Sequence, residues 1–359
     1  MLERFHYTDK NSVRIPADDM RGAVEDIFRK MGMPDEGAVQ SADVLIYADL
    51  RGIETHGTSD RVRSYVEGFS RGGPNPTPNW KIVREAAAVA TVDGDGGLGI
   101  QIGPQMMELA IEKAKVAGIG AVAVTNCGHF GAAAYHAQMA LEHDQIGIAM
   151  TIGGTGVLPT GGAEKLIGLN PLGIAAPTNK EPPFVFDAAM SAVAGGKIRL
   201  AKLLGVEVGP GWLAEPDGTP IMEPTMVPDE YAILPLGGDR ESGSHKGYGL
   251  GIMIEILSGV LSGNGAGFMR RNSSSHHFIA YDIEKFTDVT GFKDDMDALL
   301  KRLKESKPAP GNDRVMYAGL GEHEEELDRR ANGVPYHEST LEYINSICGE
   351  LGLSHHFGK

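Results

Sequence analysis

A chain of 359 residues can bury a large core and has room for two or three structural units. Its formal net charge of −15 argues against nucleic acid or an anionic membrane surface as partner, so any anionic ligand must rely on individual arginines. Two cysteines exclude a disulfide framework and fit a reducing cytoplasm, and 49 glycines without a collagen-like period imply many tight turns.

In chain order, Met1 to His6 opens with mixed charge and no apolar run, unlike a secretory signal. Asp18 or Asp19 is placed to cap a helix whose one face carries Met20, Ala23, Val24, Ile27, Phe28 and Met31. A second helix follows Pro34 and carries Val39, Ala42, Leu45, Ile46 and Leu50, then stops at Gly52. Glu54-Thr55-His56-Gly57 therefore falls in a loop just past a helix end, before a third helix running through Phe69. The proline- and glycine-rich run from Gly72 to Pro78 closes this N-terminal unit.

From Trp80 the texture changes. Strands are expected at Ala87–Val92, Gly120–Thr125, Ile146–Thr151, Gly173–Ala176, Phe184–Phe186 and Phe278–Tyr281. Helices are expected at 101–117, 133–142, 191–204, 245–261, 291–305 and 335–353, with 205–243 irregular. The apolar window Gly249–Leu261 contains Glu255 and is too short to span a bilayer.

Gly94-Asp95-Gly96-Gly97-Leu98-Gly99 fits the dinucleotide fingerprint G-x-G-x-x-G, but its context is wrong. Asp93 and Asp95 put negative charge where a pyrophosphate would sit. Pro104 implies a later helix start, and the next strand ends at Thr125-Asn126 without an acid for the ribose. Two other segments set a histidine against glycine: the His56 loop, and Asn126-Cys127-Gly128-His129-Phe130-Gly131-Ala132-Ala133. Imidazole exchanges protons near neutral pH, and glycine lets backbone approach a ligand, a pairing that suits proton transfer beside a bound cofactor. Cys127 reads as a small buried hydrophobe.

Taken together, Gly52–Gly57, Val92–Gly99, Asn126–Ala133, Gly168–Pro171, Phe184–Ala194 and Lys246–Leu250 resemble the type 2 malate/L-lactate dehydrogenases, in family order over roughly residues 15 to 355. The resemblance implies an α/β (α+β) protein with a non-Rossmann nicotinamide-binding domain on a mostly antiparallel sheet. A helical domain built from the N- and C-terminal segments would lie beside it. The corresponding division is 1–78, 79–290 and 291–359. It also implies a cytoplasmic homodimer with active sites near the subunit interface, NAD as cofactor (NADP being possible), and a small carboxylate as substrate.

Oxidising a 2-hydroxy acid requires a base on the hydroxyl, a cation for the carboxylate and a nicotinamide ring at hydride distance. The resemblance assigns His56 as acid/base, with Thr55 (where the family usually has Ser) and Asp187 as its relay; Asp187 could equally cap the following helix. The family's usual Arg position, four after the histidine, holds Asp60 here, which leaves Arg61 first and Arg63 second for the carboxylate. His129, Phe130, Gly131, Ala132 and Ala133 would form a backbone-rich wall against the dinucleotide, with the free N–H groups of a helix start for phosphate. Lys246 would stand at the nicotinamide end, and Thr178, Asn179, Gly319 and Gly321 are further candidates.

Reduction of cyclic imine carboxylates with the same histidine is the alternative reading. A hydrolase built on Thr55, His56 and Asp187 is poorer, because neighbouring loop side chains usually diverge. His276-His277 and His355-His356 lack zinc-protease spacing and read as surface pairs, so no metal site is expected.

Overall fold

A computed structural model describes residue 7, residues 11–271 and residues 274–358; the opening hexapeptide, Met1 to His6, lies outside the described residues. The chain runs β1 (Ser12–Ile15), α1 (Ala17–Lys30), α2 (Asp35–Leu50), α3 (Thr58–Ser70), β2 (Lys81–Glu85), β3 (Val89–Asp93), α4 (Gly99–Ala117) and β4 (Ile119–Cys127). It continues with α5 (Ala133–Gln138), β5 (Gln145–Thr151), β6 (Leu172–Ala176), β7 (Phe184–Ala188), α6 (Gly195–Leu204), and the short β8 (Leu213–Ala214) and β9 (Ala232–Ile233). The remainder is α7 (Ser244–Ile254) with a π-turn at Glu255–Val260, β10 (Ser274–Asp282), α8 (Val289–Lys304), α9 (Leu320–Asn332), β11 (Val334–His337) and α10 (Glu338–Glu350).

The helical layer follows from amphipathic spacing. In α1, Met20, Ala23, Val24, Ile27 and Phe28 are buried together, while Asp18 and Asp19 complement the positive helix end and Arg29 and Lys30 the negative one. The cap itself is Pro16, not Asp18 or Asp19, which lie inside the first turn. This core joins α1, α2 and α3 to β11 and α10, and the antiparallel β1–β11 pair ties the two distant segments. In contrast, α8 contributes Leu300 and Met296 to a small separate cluster with Phe184 of β7.

A seven-stranded sheet forms the second layer, in the order β2-β3-β4-β10-β5-β6-β7. Only β3 and β4, joined through α4, run parallel; every other neighbouring pair is antiparallel. Helix α4 starts directly at Gly99, earlier than Pro104 had implied, because the proline falls in the second turn and gives up one backbone bond. Ser191 to Ala194 is not helical, so α6 is shorter than its sequence suggests.

Strand β10 is the centre of the sheet, and its His276 and His277 are buried, not a surface pair. A central strand is covered on both faces, so two adjacent residues can both be interior and the alternation that marks a half-buried strand disappears. His276 Nδ1 lies 2.8 Å from Thr151 Oγ1 and its Nε2 2.9 Å from the Gly128 carbonyl. Its ring stacks on Phe130 at 4.8 Å, and His136 stacks against Phe130 at 4.9 Å.

The two layers are joined through the loop after α2. Asp49, in the last turn of α2, accepts the Thr58 N–H at 3.0 and 3.1 Å and the Tyr336 hydroxyl at 2.8 Å. Arg329 of α9 donates to the Asp49 carbonyl at 2.6 Å and to Glu54 at 2.7 Å. Gly57 closes the loop so tightly on the Asp49 carboxylate that a Cβ there would stand 1.8 Å from Oδ1. We expect Gly57→Ala to lose roughly 1–3 kcal/mol of stability by over-packing; an unchanged urea midpoint would contradict this closure.

Burial pushes His136 down to about 4 and His276 to about 3, and His277 below its ordinary value. A ring held neutral in the fold and free to protonate when unfolded contributes stability that is complete above about pH 6.5 and lost as the pH falls. Asp49, raised to about 6 by burial, works in the opposite sense but stands alone against three rings. Thermal midpoints should therefore fall between pH 7 and pH 5, each histidine contributing at most about 1.4 kcal/mol per pH unit. A midpoint that holds or rises over that interval would show that these rings are not buried neutral.

Candidate active site

A cleft of about 1330 Å³ opens between the His56 loop, the turn after β4, the start of α6 and the face of α9. His56 lines it. Its Nδ1 lies 2.9 Å from Thr55 Oγ1, so these sequence neighbours meet where divergence was expected. The loop turns sharply there, with the His56 N–H on the Ile53 carbonyl. Burial, reinforced by the Arg61 guanidinium, holds the His56 imidazole down to about 3, with Asp60 opposing. The ring is neutral at physiological pH.

His129 stacks beside His56 with ring centres 5.7 Å apart. Its Nδ1 receives the Gly131 N–H at 3.2 Å and lies 2.7 Å from the Tyr65 hydroxyl. An amide can only donate, so Nδ1 is the acceptor and the ring proton belongs on Nε2. Burial first, then Arg61, keeps this imidazole well below its ordinary range. Gly128, Phe130, Gly131 and Ala133 share the cleft wall with it, whereas Ala132 is buried behind them.

The remaining sequence candidates divide. Arg61 lines the cleft, its Nε 3.2 Å from both the Thr55 carbonyl and Asp60. Arg63 does not: it is exposed and lies over the Tyr343 ring of α10 at 4.3 Å. Asp187 lines the cleft from β7, but its carboxylate takes the Ala134 N–H at 2.7 Å. It therefore caps α5 rather than α6, and it fills the anion position that the α5 amide groups had offered to phosphate. Thr55 is the polar side chain bonded to His56 in this structure; Asp187 makes its described bond elsewhere.

Gly321 lines the cleft, while Gly319 packs on Val185 and accepts from Arg51. Thr178 bonds the Glu181 carbonyl and Asn179 bonds Asp294, both away from the cleft, and Lys246 is exposed at the start of α7 outside it. The G-x-G-x-x-G loop is tied to protein: the Gly94 and Gly96 amides donate to Thr125 and Asn126, and the Gly97 carbonyl accepts from Gly128. Cys127 is buried and its thiol is pushed up to about 12. Among the described residues, no group of three or more His, Cys, Asp or Glu is placed to hold a metal ion, and no helix is long and apolar enough to cross a membrane.

Sequence reasoning missed Tyr65 as the partner of His129, and Lys197 and Arg199 on α6, which line the cleft opposite His56. The Gly195-Gly196 pair ahead of two cations was the available signal.

The family model described as malate/L-lactate dehydrogenase matches residues 15–345. A malate dehydrogenase of Pyrococcus abyssi is 41% identical over 354 residues, 97% of each chain. An L-sulfolactate dehydrogenase of Methanocaldococcus jannaschii is 37% identical, over 92% of this chain and 94% of its own. The solved malate dehydrogenase of Pyrococcus horikoshii superposes with a TM-score of 0.89 at 37% identity, covering 98% of this chain and 99% of that one. With this fold, this cleft and these relatives, the chain belongs to the malate/L-lactate dehydrogenase family, nicotinamide-dependent oxidoreductases of 2-hydroxy acids.

Proposed function

We propose that the cleft interconverts a small 2-hydroxy acid and its 2-oxo acid, with His56 as the acid/base and malate and sulfolactate as the first substrates to try. The supporting observation is a neutral cleft-lining imidazole whose Nδ1 is held by Thr55 and which has a guanidinium beside it. With the Nδ1 proton donated to Thr55 Oγ1, Nε2 keeps its lone pair for the substrate hydroxyl. Arg61 pairs with the carboxylate through its terminal nitrogens and fixes the reacting carbon. Nε2 then takes the hydroxyl proton in oxidation and returns it to the carbonyl oxygen in reduction. Asp187 orders the α5 end of the cleft and supports His56 at second hand.

The cleft fits a dinucleotide together with a small acid. Its volume exceeds the roughly 300–1,000 Å³ usual for a small-ligand site. The Gly128–Gly131 wall, Gly153-Gly154 and the start of α6 would hold the cofactor, which when bound supplies the hydride donor or acceptor. NAD is the preferred form in this reading, because the sequence offers no obvious basic cluster for a 2′-phosphate. The domain division 1–78, 79–290 and 291–359, the homodimer and the cytoplasmic location remain part of this reading.

A panel of 2-oxo acids and cyclic imine carboxylates with NADH and NADPH, followed at the reduced-nicotinamide band, should show turnover on a 2-oxo acid and a preference for NADH. A flat panel overturns the reading, and turnover confined to imines would move the substrate class. In the active pair, His56→Gln should lose roughly 10²–10⁴-fold in kcat while NADH fluorescence titration stays within a few-fold. Full turnover by that variant would remove His56 from the chemistry.

Thr55→Val should lower kcat roughly tenfold, as expected for one hydrogen bond of about 1–1.5 kcal/mol, with Thr55→Ser close to the parent enzyme. Equal rates in Val and Ser variants would dismiss Thr55 as the partner that orients the ring. Because the free-enzyme imidazole is held low, the acid limb of kcat/KM for oxidation should lie below pH 6.5. A limb above that value would contradict the neutral ring.

A further inference from the structure

We propose that Arg199 anchors a second negative group of the substrate, so that the cleft is built for 2-hydroxy acids carrying two anionic ends. This rests on the dehydrogenase reading above and narrows its substrate class. Asp60 is the key to the geometry. It accepts from Arg199 Nε at 2.9 Å and Nη2 at 2.6 Å, and it lies 3.2 Å from Arg61 Nε. One carboxylate thus holds two guanidiniums side by side.

Each guanidinium keeps an edge for a ligand. Arg199 spends its Nε–Nη2 edge on Asp60, which leaves Nη1, and over half of its side chain is exposed. Among the described residues, Arg61 is engaged only through Nε. Both arginines line the same cleft as His56.

The placement of Arg199 is rigid. A Cβ on Gly196 would stand 2.5 Å from Thr55 Cβ, so the first turn of α6 packs directly on the Thr55–His56 pair. Arg199 follows three residues later, on the neighbouring turn of the same helix face. Both guanidiniums act electrostatically on the His56 ring, Arg61 more strongly than Arg199.

Charge agrees with geometry. Arg61 and Arg199 share the single negative charge of Asp60, so this pair of guanidiniums keeps a net positive charge for an anionic group of the ligand. In the bound acid, Arg61 would take the carboxylate next to the reacting carbon and Arg199 the group at the other end. A carboxylate or a sulfonate offers the oxygen pair that such a fork recognises.

The test compares two 2-oxo acids of equal chain length, oxaloacetate with two carboxylates and 2-oxobutanoate with one. The parent enzyme should favour oxaloacetate. Arg199→Met should lower that preference in kcat/KM roughly 30- to 100-fold, mainly through KM for oxaloacetate, as when one partner of a close charge pair is removed. Arg199→Lys should recover part of it, and the thermal midpoint of each variant checks its fold. The double variant Arg199→Met, Asp60→Asn excludes an indirect effect of a released Asp60 on Arg61, and it should keep the lowered preference.

An unchanged preference in Arg199→Met, or equal losses on both acids, would overturn the assignment of Arg199 while leaving the dehydrogenase reading intact. A parent enzyme active only on monoanionic 2-oxo acids would do the same. Inertness of the parent enzyme on every acid would instead sink the underlying reading.

Discussion

Everything at the site hangs on a buried ion pair. Arg329 and Glu54 are each less than a tenth exposed and meet at 2.7 Å, and Arg329 also holds the Asp49 carbonyl in the last turn of α2. A pair this deep recovers its desolvation cost only through good geometry and further hydrogen bonds, and removing one partner strands the other in a medium that cannot solvate it. Here the guanidinium has such bonds, to Glu325 and the Asp49 carbonyl, and Thr58 and Tyr336 satisfy the neighbouring Asp49 carboxylate, while Glu54 Oε2 has no partner among the described residues. The result is that a loop seven residues long is fixed at both ends by α9 and β11, elements nearly three hundred positions away. His56 owes its position to that arrangement more than to its own contacts.

A second set of buried polar groups fixes the facing wall. Phe130 stacks on the rings of both His136 and His276, and each imidazole donates its Nε2–H to a main-chain carbonyl of the same turn. The aromatic stack excludes water, and the hydrogen bonds set the backbone path, so His129 is presented beside His56 without a helix or strand beneath it. The two cleft histidines are kept neutral by the same burial. An anion delivered to Arg61 cancels one of the charges that depress His56, so substrate binding and the basicity of the ring are coupled by simple electrostatics.

How much of this the sequence displays depends on where burial comes from. Helices α1, α2 and α3 have local apolar faces, and the His56 loop is bracketed by glycines, so both are legible. Strand pairing between β1 and β11 spans over three hundred residues and leaves no local trace. Helix α9 buries little besides Leu320 and Arg329, so apolar periodicity is missing; its signal is the spacing of Glu325 with Arg329 and of Glu326 with Arg330. His276 and His277 were opaque because a doubly covered strand has no polar face. Asp187 was half legible: a capping residue, as its type suggests, but for a helix fifty residues upstream in sequence. Arg63 and Arg61 could not be separated by spacing alone, since α3 turns one to the cleft and the other to Tyr343.

The division of labour between elements follows from these constraints. In the function proposed above, proton transfer falls to a loop clamped by buried charge, where Gly57 leaves no room for a side chain and loss of Glu54 would strand Arg329. In the same proposal, recognition of the far end of the substrate falls to the exposed face of α6, which touches that loop at Gly196 and Thr55 among the close approaches described. A side chain at position 199 can change size or charge without disturbing Asp49, Glu54 or Arg329. Asp60 links the two regions, because it belongs to α3 and yet orients a cation on α6. Substrate range can therefore drift on one helix while the acid/base pair stays fixed on another, which is the arrangement expected of a scaffold whose relatives act on acids with different distal groups.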